Sequence, residues 1–236
     1  MIIVLKTADF EIARNIAMQL DIPEEFGQDM DADEFYSDWL EDQVAHLSVG
    51  EFNIDNGASK AVIIFSDFNF VIKIPFNGGW YDQWDEENEE YSDPYFEPFH
   101  GAEAPDTSDY CWDECIRISD AYDAGFGELF PTTTFLCEHD GRRYYIQEKV
   151  TTARGSHPTP SENSRTRAKS MDHKYWYCNE DWRAMVIEMY GEDYLRCFID
   201  WCKSTDNGIL DDMHYGNFGF SMTGAPILLD VSGYRD

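Results

Sequence analysis

Three polar residues near the C-terminal end of the sequence restrict its fold more than any other feature. Asp212 and Asn217 lie five positions apart, and Asp230 ends the apolar run Pro-Ile-Leu-Leu. Phosphoryl transfer needs a carboxylate that orients the attacking hydroxyl group, and oxygen ligands for one or two magnesium ions. A fold that gathers these three side chains around one point supplies all of these groups. Taken singly, the acids could instead cap a turn or a strand end, and Asp211 replaces Asp212 if the register differs by one residue.

The second feature that restricts the fold is a lysine within an apolar strand. Lys73 interrupts the run Phe-Val-Ile-Lys-Ile, and the strand Phe68–Ile74 is predicted to form a hairpin with Lys60–Ser66 around a tight turn near Asp67. Burying a lysine is costly unless its charge is paired. We therefore expect a carboxylate or a phosphate group beside Lys73.

A helix predicted over residues 109–124 contains the best candidate for that carboxylate. Ser108 is its predicted N-cap, and Gly125 stands where helices commonly end. Glu114 lies on the predicted inward face of this helix. Asp113 takes its place if the register differs by one residue.

The C-terminal pattern resembles that of a known superfamily. Asp212-x-His214-x-Gly216-Asn217 followed by Asp230 is similar to the catalytic loop and the metal-binding aspartate of protein-kinase-like enzymes. Its form is closest to the loops of aminoglycoside and choline kinase relatives and of short phage-encoded protein kinases. The resemblance implies that Asp212 is the catalytic base and that Asn217 and Asp230 bind magnesium. It also implies an α+β, two-lobe fold with an antiparallel sheet in the N-terminal lobe and a truncated, mostly helical C-terminal lobe.

The resemblance covers about residues 50–232 and implies an ATP site with Mg²⁺. Gly57 and Ser59 belong to a glycine-poor version of the nucleotide-binding loop. Lys73 and Glu114 correspond to the family's lysine–glutamate pair, and both are counted among the catalytic residues. Glu148 and Val150 belong to a hinge that would offer backbone hydrogen bonds to adenine.

The sequence also departs from the family pattern. Leu210-Asp211 stands where most protein kinases have His-Arg, and Val231-Ser232 stands where they have Phe-Gly. The sequence stops six residues after Asp230, without the activation segment and helical subdomain that seat a peptide substrate. We therefore expect no regulation through an activation loop, and the phosphoacceptor (a protein hydroxyl group or a small molecule) stays open.

Domain boundaries follow from this reading. We expect a helical extension over 1–48, an ATP-binding lobe over 49–148 with an acidic insertion at 77–108, and a truncated lobe over 149–236. The insertion is predicted to be a loop. Residues 151–170, rich in Ser, Thr, Pro and Arg without apolar periodicity, are predicted to be a mobile loop.

Several shorter elements are predicted from local patterns. A strand is expected over Met1–Lys6 and helices over 7–48, with Ile12, Ile16 and Leu20 on one face. Asp140-Gly141 is a strong hairpin signal. The remaining predictions are two strands (Thr132–Glu138 and Arg142–Glu148), two helices within 180–204 with Leu195, Phe198 and Cys202 on one face, and two strands near the C-terminal end.

Charge limits the classes of partner. The formal net charge is −30, and residues 1–141 contain 33 acids against five bases, whereas residues 142–174 carry a net charge of +5. A field this negative repels nucleic acids and anionic membranes, so neither is expected as a partner. It also repels ATP unless local cations and metal ions intervene. An alternative function is therefore a pseudokinase, or an acidic binding protein that occupies a basic surface on a partner.

Cysteines and hydropathy indicate the compartment. The six cysteines form no Cys-x-x-Cys pair and are most simply buried thiols of a cytoplasmic protein. Cys111 and Cys115 are four residues apart on the predicted helix, but no matching pair completes a zinc site. No apolar run approaches the roughly 20 residues needed to cross a bilayer.

Overall fold

The structure, a computed structural model, describes residues 5–22, 33–56, 60–76, 78–81, 84–85, 90–91, 95–98, 109–152, 159–171, 180–205, 209–210, 213 and 215–231. The chain divides into two compact units. One contains residues 5–113 and 134–147, and the other contains 114–133 and 148–236.

The described residues form six α-helices and twelve β-strands. The helices are α1 (Thr7–Ala17), α2 (Asp33–Ala45), α3 (Tyr110–Asp123), α4 (Glu162–Ser170), α5 (Glu180–Tyr190) and α6 (Glu192–Thr205). The strands are β1 (Phe52–Asn56), β2 (Lys60–Phe65), β3 (Phe70–Pro75), β4 (Gly78–Tyr81), β5 (Trp84–Asp85), β6 (Glu90–Tyr91), β7 (Tyr95–Pro98), β8 (Thr133–His139), β9 (Arg142–Glu148), β10 (Val150–Thr152), β11 (Phe218–Ser221) and β12 (Pro226–Leu228). The predicted α+β class is confirmed.

A five-stranded antiparallel sheet with the order β1-β2-β3-β9-β8 dominates the first unit. The predicted hairpin between β2 and β3 is confirmed, with Val62 opposite Lys73 and a turn over residues 66–69. The β8–β9 hairpin is confirmed as well. Asp140 and Gly141 both have positive φ, 48° and 74°, as the two central residues of a type I′ turn require.

Helices α1 and α2 pack in the same hydrophobic core as one face of this sheet. The core residues include Leu40, Ile63, Phe65, Phe70 and Ile72, each 0% exposed. The predicted face of α1 is partly wrong. The buried helical positions are Ala13, Ile16 and Ala17, whereas Ile12 is 37% exposed.

The acidic insertion contains strands, contrary to the prediction of a loop. β4 pairs with β7, and β5 and β6, which lie between them in the sequence, pair with each other; both pairs are antiparallel. The paired residues Trp80, Tyr81, Tyr95 and Phe96 are aromatic. Aromatic residues favour strands even where acidic residues surround them.

Helix α3 begins and ends with recognisable caps. Asp109 is its N-cap, since Oδ1 accepts a hydrogen bond from the backbone N–H of Trp112 at 2.8 Å; the predicted N-cap, Ser108, lies outside the described residues. At the other end Gly125 has a φ of 87°. The N–H of Phe126 bonds to the carbonyl of Ala121 at 2.7 Å and that of Gly125 to Tyr122 at 3.1 Å, which is a Schellman motif. The predicted helix end is confirmed.

The second unit has its own core, built from the C-terminal part of α3, from α4, α5 and α6, and from β11 and β12 of the three-stranded sheet β10-β11-β12. Two helices were expected within 180–204, and α5 and α6 confirm them. The buried residues of α6 are Leu195, Phe198 and Cys202, as predicted. Trp182 on α5 is fully buried, and its Nε1–H donates to the carbonyl oxygen of Ile227 at 2.9 Å.

The predicted mobile loop over 151–170 is wrong at both ends, since Thr151 and Thr152 belong to β10 and α4 forms over Glu162–Ser170. Ser161 caps this helix by accepting a hydrogen bond from the N–H of Ser164. The basic side chains pair with the start of α5: Arg165 Nε lies 3.0 Å from Asp181 and Lys169 Nζ 3.3 Å from Glu180. A helix this polar lacks an apolar stripe, so it depends on its cap and on these contacts rather than on periodicity.

Two sequence predictions fall wholly or partly outside the described part. Of the predicted strand Met1–Lys6, only Leu5 and Lys6 are described, and they precede α1 without forming a strand. Of the predicted nucleotide-binding loop, Gly57 and Ser59 are not among the described residues. Within the residues that the structure describes, no helix has both the length and the apolar character to cross a bilayer.

Candidate functional site

Asn217 and Asp230 are brought together by the hairpin of β11 and β12. Asn217 ends a single 3₁₀ turn immediately before β11, and Asp230 lies two residues after β12. Because Phe218 lies opposite Leu228, the two flanking segments meet beyond the end of the ladder. The N–H of Leu229 donates to the carbonyl oxygen of Asn217 at 2.7 Å, and Asn217 Nδ2 donates to the carbonyl oxygen of Asp230 at 3.3 Å.

Asp230 has a left-handed backbone conformation, with a φ of 51°. This region is sterically unfavourable for L-residues, although aspartate tolerates it better than most. Backbone strain of this kind is concentrated at functional sites, where the surrounding structure enforces it. Asn217 holds this segment by hydrogen bonds to Leu229 and to the carbonyl oxygen of Asp230.

The hydrogen bond also orients the amide group of Asn217. Because Nδ2 faces the backbone of Asp230, the amide oxygen lies on the other side of the group. Asn217 is 7% exposed and Asp230 is half-buried. One amide oxygen and one carboxylate suit Mg²⁺, which keeps several waters and takes few protein ligands. In the part of the chain that the structure describes, no group of three or more His, Cys, Asp or Glu residues could hold a metal ion.

Arg117 is a residue of this site that the sequence reasoning missed. Its side chain is 8% exposed, and Nη1 donates to the carbonyl oxygen of Val231 at 2.9 Å. Helix α3 is thereby tied to the residue that follows Asp230. The sequence did contain a signal, since Arg117 is the only base between Lys73 and Arg142.

Strand β10 carries Val150 into the same sheet. Val150 lies opposite Ser221 and Thr152 opposite Gly219. The strands approach closely at Gly219, where an added Cβ would stand 2.8 Å from the carbonyl oxygen of Thr151. Glycine at 219 therefore lets β10 lie against β11, two residues after Asn217.

Glu148 is buried at the end of β9. Its N–H donates to the carbonyl oxygen of Thr132 at 2.8 Å, and its side chain is 3% exposed. Burial raises the pKa of the Glu148 carboxyl above its ordinary value, while a hydrogen bond with the backbone of Thr132 lowers it. The backbone N–H of Glu148 is thus already engaged within the protein.

Lys73 and Glu114 are both buried, at 3% and 0% exposure. Lys73 lies on β3, the central strand of the five-stranded sheet, and Glu114 lies in the second turn of α3. Asp113, the alternative to Glu114, is half-buried, so Glu114 is the inward residue of the two. The pairing of Lys73 with Glu114 stays a prediction.

The first turn of α3 is attached to β9 within the first unit. Tyr145 donates its hydroxyl proton to Asp109 Oδ2 at 2.7 Å, and Arg143 Nη1 lies 3.7 Å from the same oxygen. Burial raises the pKa of Asp109 above its ordinary value, although the bond from Tyr145 opposes this. Burial and the nearby charge of Asp109 also raise the pKa of Tyr145. The cap of α3 is therefore a partly buried polar contact with the sheet.

The remaining predicted site residues, Gly57, Ser59, Asp211 and Asp212, lie outside the described residues, and their roles stay predictions. The structure thus links the side chain of Asn217 to the backbone of Asp230 and locates Lys73, Glu114, Glu148 and Val150 on defined elements. No family model matches the sequence, and neither the curated proteins nor the solved structures that were searched include a match.

Proposed function

We propose that this chain is a phosphotransferase that uses Mg-ATP and has a two-lobe, kinase-like fold. In this proposal the unit with the five-stranded sheet is the ATP-binding lobe, and the unit with α4–α6 is a truncated C-terminal lobe. Asp212 is the catalytic base, and Asn217 and Asp230 hold magnesium. The acceptor of the phosphoryl group is a protein hydroxyl group or a small molecule.

The observation that supports the proposal most strongly is the left-handed Asp230 joined to Asn217. A strained aspartate beside a buried amide is unnecessary for a hairpin end, because glycine would adopt that φ at lower cost. Functional ligands explain why an aspartate is held there. Magnesium bound by these two residues would offset the charge of the ATP phosphates.

The order of elements gives further support. Lys73 is buried on the third strand of a sheet that begins with the β1–β2 hairpin, and Glu114 is buried on the helix that follows. The proposed lysine–glutamate pair of a kinase-like enzyme needs this order: hairpin, lysine strand, glutamate helix. The proposed hinge follows, with Glu148 as the last residue of β9 and Val150 as the first residue of β10.

A thermal-shift measurement with ATP, with and without magnesium, tests the proposal. We expect stabilisation only when both are present, because the protein's negative charge opposes binding of free ATP. At 100 times the dissociation constant, the free energy of unfolding should rise by about 2.7 kcal/mol. Equal shifts with and without magnesium would contradict roles for Asn217 and Asp230 as metal ligands.

Substitutions at the proposed catalytic base separate the effect on catalysis from the effect on ATP binding. Asp212→Asn should leave the affinity for Mg-ATP nearly unchanged and lower turnover by roughly 100-fold or more, the range for loss of a general base. Asp211→Asn is the matched control and should have a much smaller effect. If Asp211→Asn is the more damaging change, the assignment is displaced by one residue.

The net charge of −30 favours a second candidate, an acidic binding protein that keeps the fold and occupies a basic partner surface. This candidate predicts no stabilisation by Mg-ATP and no turnover. It predicts instead salt-sensitive association with basic proteins.

A further inference from the structure

Lys60 and Lys73 share one face of the five-stranded sheet. Along β2 the residues that enter the core are Ala61, Ile63 and Phe65, and along β3 they are Phe70, Ile72 and Ile74. Successive side chains of a strand alternate between faces. Lys60 and Lys73 therefore both lie on the face opposite the core formed with α1 and α2.

The register makes the two lysines diagonal neighbours. Lys60 lies opposite Pro75, and Val62 lies opposite Lys73, so the lysines are offset by two positions on adjacent strands. Diagonal neighbours of this kind are about 7–8 Å apart. Because each ammonium group sits on a flexible four-carbon chain, both can contact the same extended anion.

Both lysines are almost fully buried, at 3% exposure each. They are two of only five bases in the first 141 residues, against 33 acids. Two like charges buried close together disfavour each other unless anionic groups lie nearby. Each lysine also interacts with other groups of the protein, so the site is not one of unpaired charges. The placement of two cations on one buried sheet face nevertheless concentrates positive charge in an otherwise acidic region.

We propose that Lys60 and Lys73 together bind the phosphate chain of a nucleoside di- or triphosphate, with Lys60 as a second phosphate-binding residue. The inference rests on the proposed function and extends it. A single phosphate group cannot span two cations at this separation as well as a chain of phosphates can. Lys60 thereby contributes to selectivity for ligands with at least two linked phosphates.

Calorimetric titration of Lys60→Met tests this proposal, with magnesium present throughout. We expect the variant to bind ATP and inorganic tripolyphosphate about 10- to 100-fold more weakly, the effect of losing a hydrogen bond to a charged group. Binding of adenosine, which has no phosphate, should change less than about twofold. Lys6→Met removes the same charge from an exposed position of the same unit and should bind all three ligands like the wild type.

Three further variants separate this inference from the proposed function. Lys60→Arg should retain most of the affinity for tripolyphosphate, whereas Lys60→Gln should not; this comparison decides the matter if Lys60→Met does not fold. Suppose that Lys73→Met loses ATP binding while the uncharged Lys60 variants bind ATP and tripolyphosphate like the wild type. The role of Lys60 is then refuted and the proposed function stands. A wild-type protein that binds neither ATP nor tripolyphosphate refutes both.

Discussion

At the scale of single residues, the sequence identified the candidate polar ligands, but it did not identify the contacts and backbone conformations that hold them in place. Asn217 was identified by its spacing from Asp212, and Asp230 because it ends an apolar run; the structure links the Asn217 side chain to the backbone of Asp230. The left-handed φ of Asp230 has no sequence signature, since aspartate occurs in every backbone region. Arg117 was missed because a buried donor to a distant carbonyl depends on tertiary contacts, and its separation from Val231 is 114 residues.

Substitution of Asp230 distinguishes strain from function. Asp230→Gly relieves the left-handed strain while adding backbone freedom to the unfolded chain, so its free energy of unfolding should stay within about 1 kcal/mol of the wild type. The same variant should lose magnesium-dependent ATP binding. Urea unfolding and calorimetry with Mg-ATP measure the two effects. Asp230→Asn is the control for stability, because asparagine tolerates the same φ. If ATP binding by Asp230→Gly still depends on magnesium, Asp230 is not a ligand.

At the scale of elements, prediction succeeded where a local pattern determines the structure. Asp140-Gly141 supplies both positive φ angles of its turn, and Gly125 ends α3 for the same steric reason. The apolar face of α6 followed directly from its spacing. Helix α4 was missed because its stability comes from a Ser161 cap and from ion pairs to α5, neither of which produces apolar periodicity.

Arg117 should show how α3 supports the segment around Asp230. Arg117→Met removes the buried donor to the carbonyl of Val231 and should lower the free energy of unfolding by about 1–3 kcal/mol. Because the segment loses its attachment to α3, the magnesium concentration needed for half-maximal ATP binding should rise. Arg196→Met is the control: Arg196 is exposed on α6 and pairs with Glu192 one turn away, and because an exposed ion pair contributes little to stability, its loss should lower the free energy of unfolding much less than Arg117→Met does. Equal effects of the two substitutions would contradict the supporting role of Arg117.

At the scale of the whole molecule, the composition indicated a folded, acidic protein, but it did not indicate which segments pack together to form each core. The N-terminal segment lies outside the range of the sequence resemblance, yet its helices α1 and α2 pack in the core of the sheet. Their contribution follows from long-range packing, which periodicity alone does not identify. The net charge, in contrast, can be counted directly from the sequence, and it predicts how the association rate of an anionic ligand depends on salt.

Salt should accelerate the binding of Mg-ATP to this protein. A net charge of −30 repels the anionic complex over a distance set by the Debye length, which falls from about 30 Å at 0.01 M to about 8 Å at 0.15 M ionic strength. The association rate should therefore rise as KCl is added over this range at constant magnesium, in contrast to the fall seen when opposite charges steer association. Contacts with buried lysines are screened less, so the dissociation rate should change little. Stopped-flow measurements give both rates, and adenosine, which is uncharged, should show no dependence of its association rate on salt. An association rate for Mg-ATP that falls with KCl would mean that the local field of the lysines outweighs the charge of the whole protein.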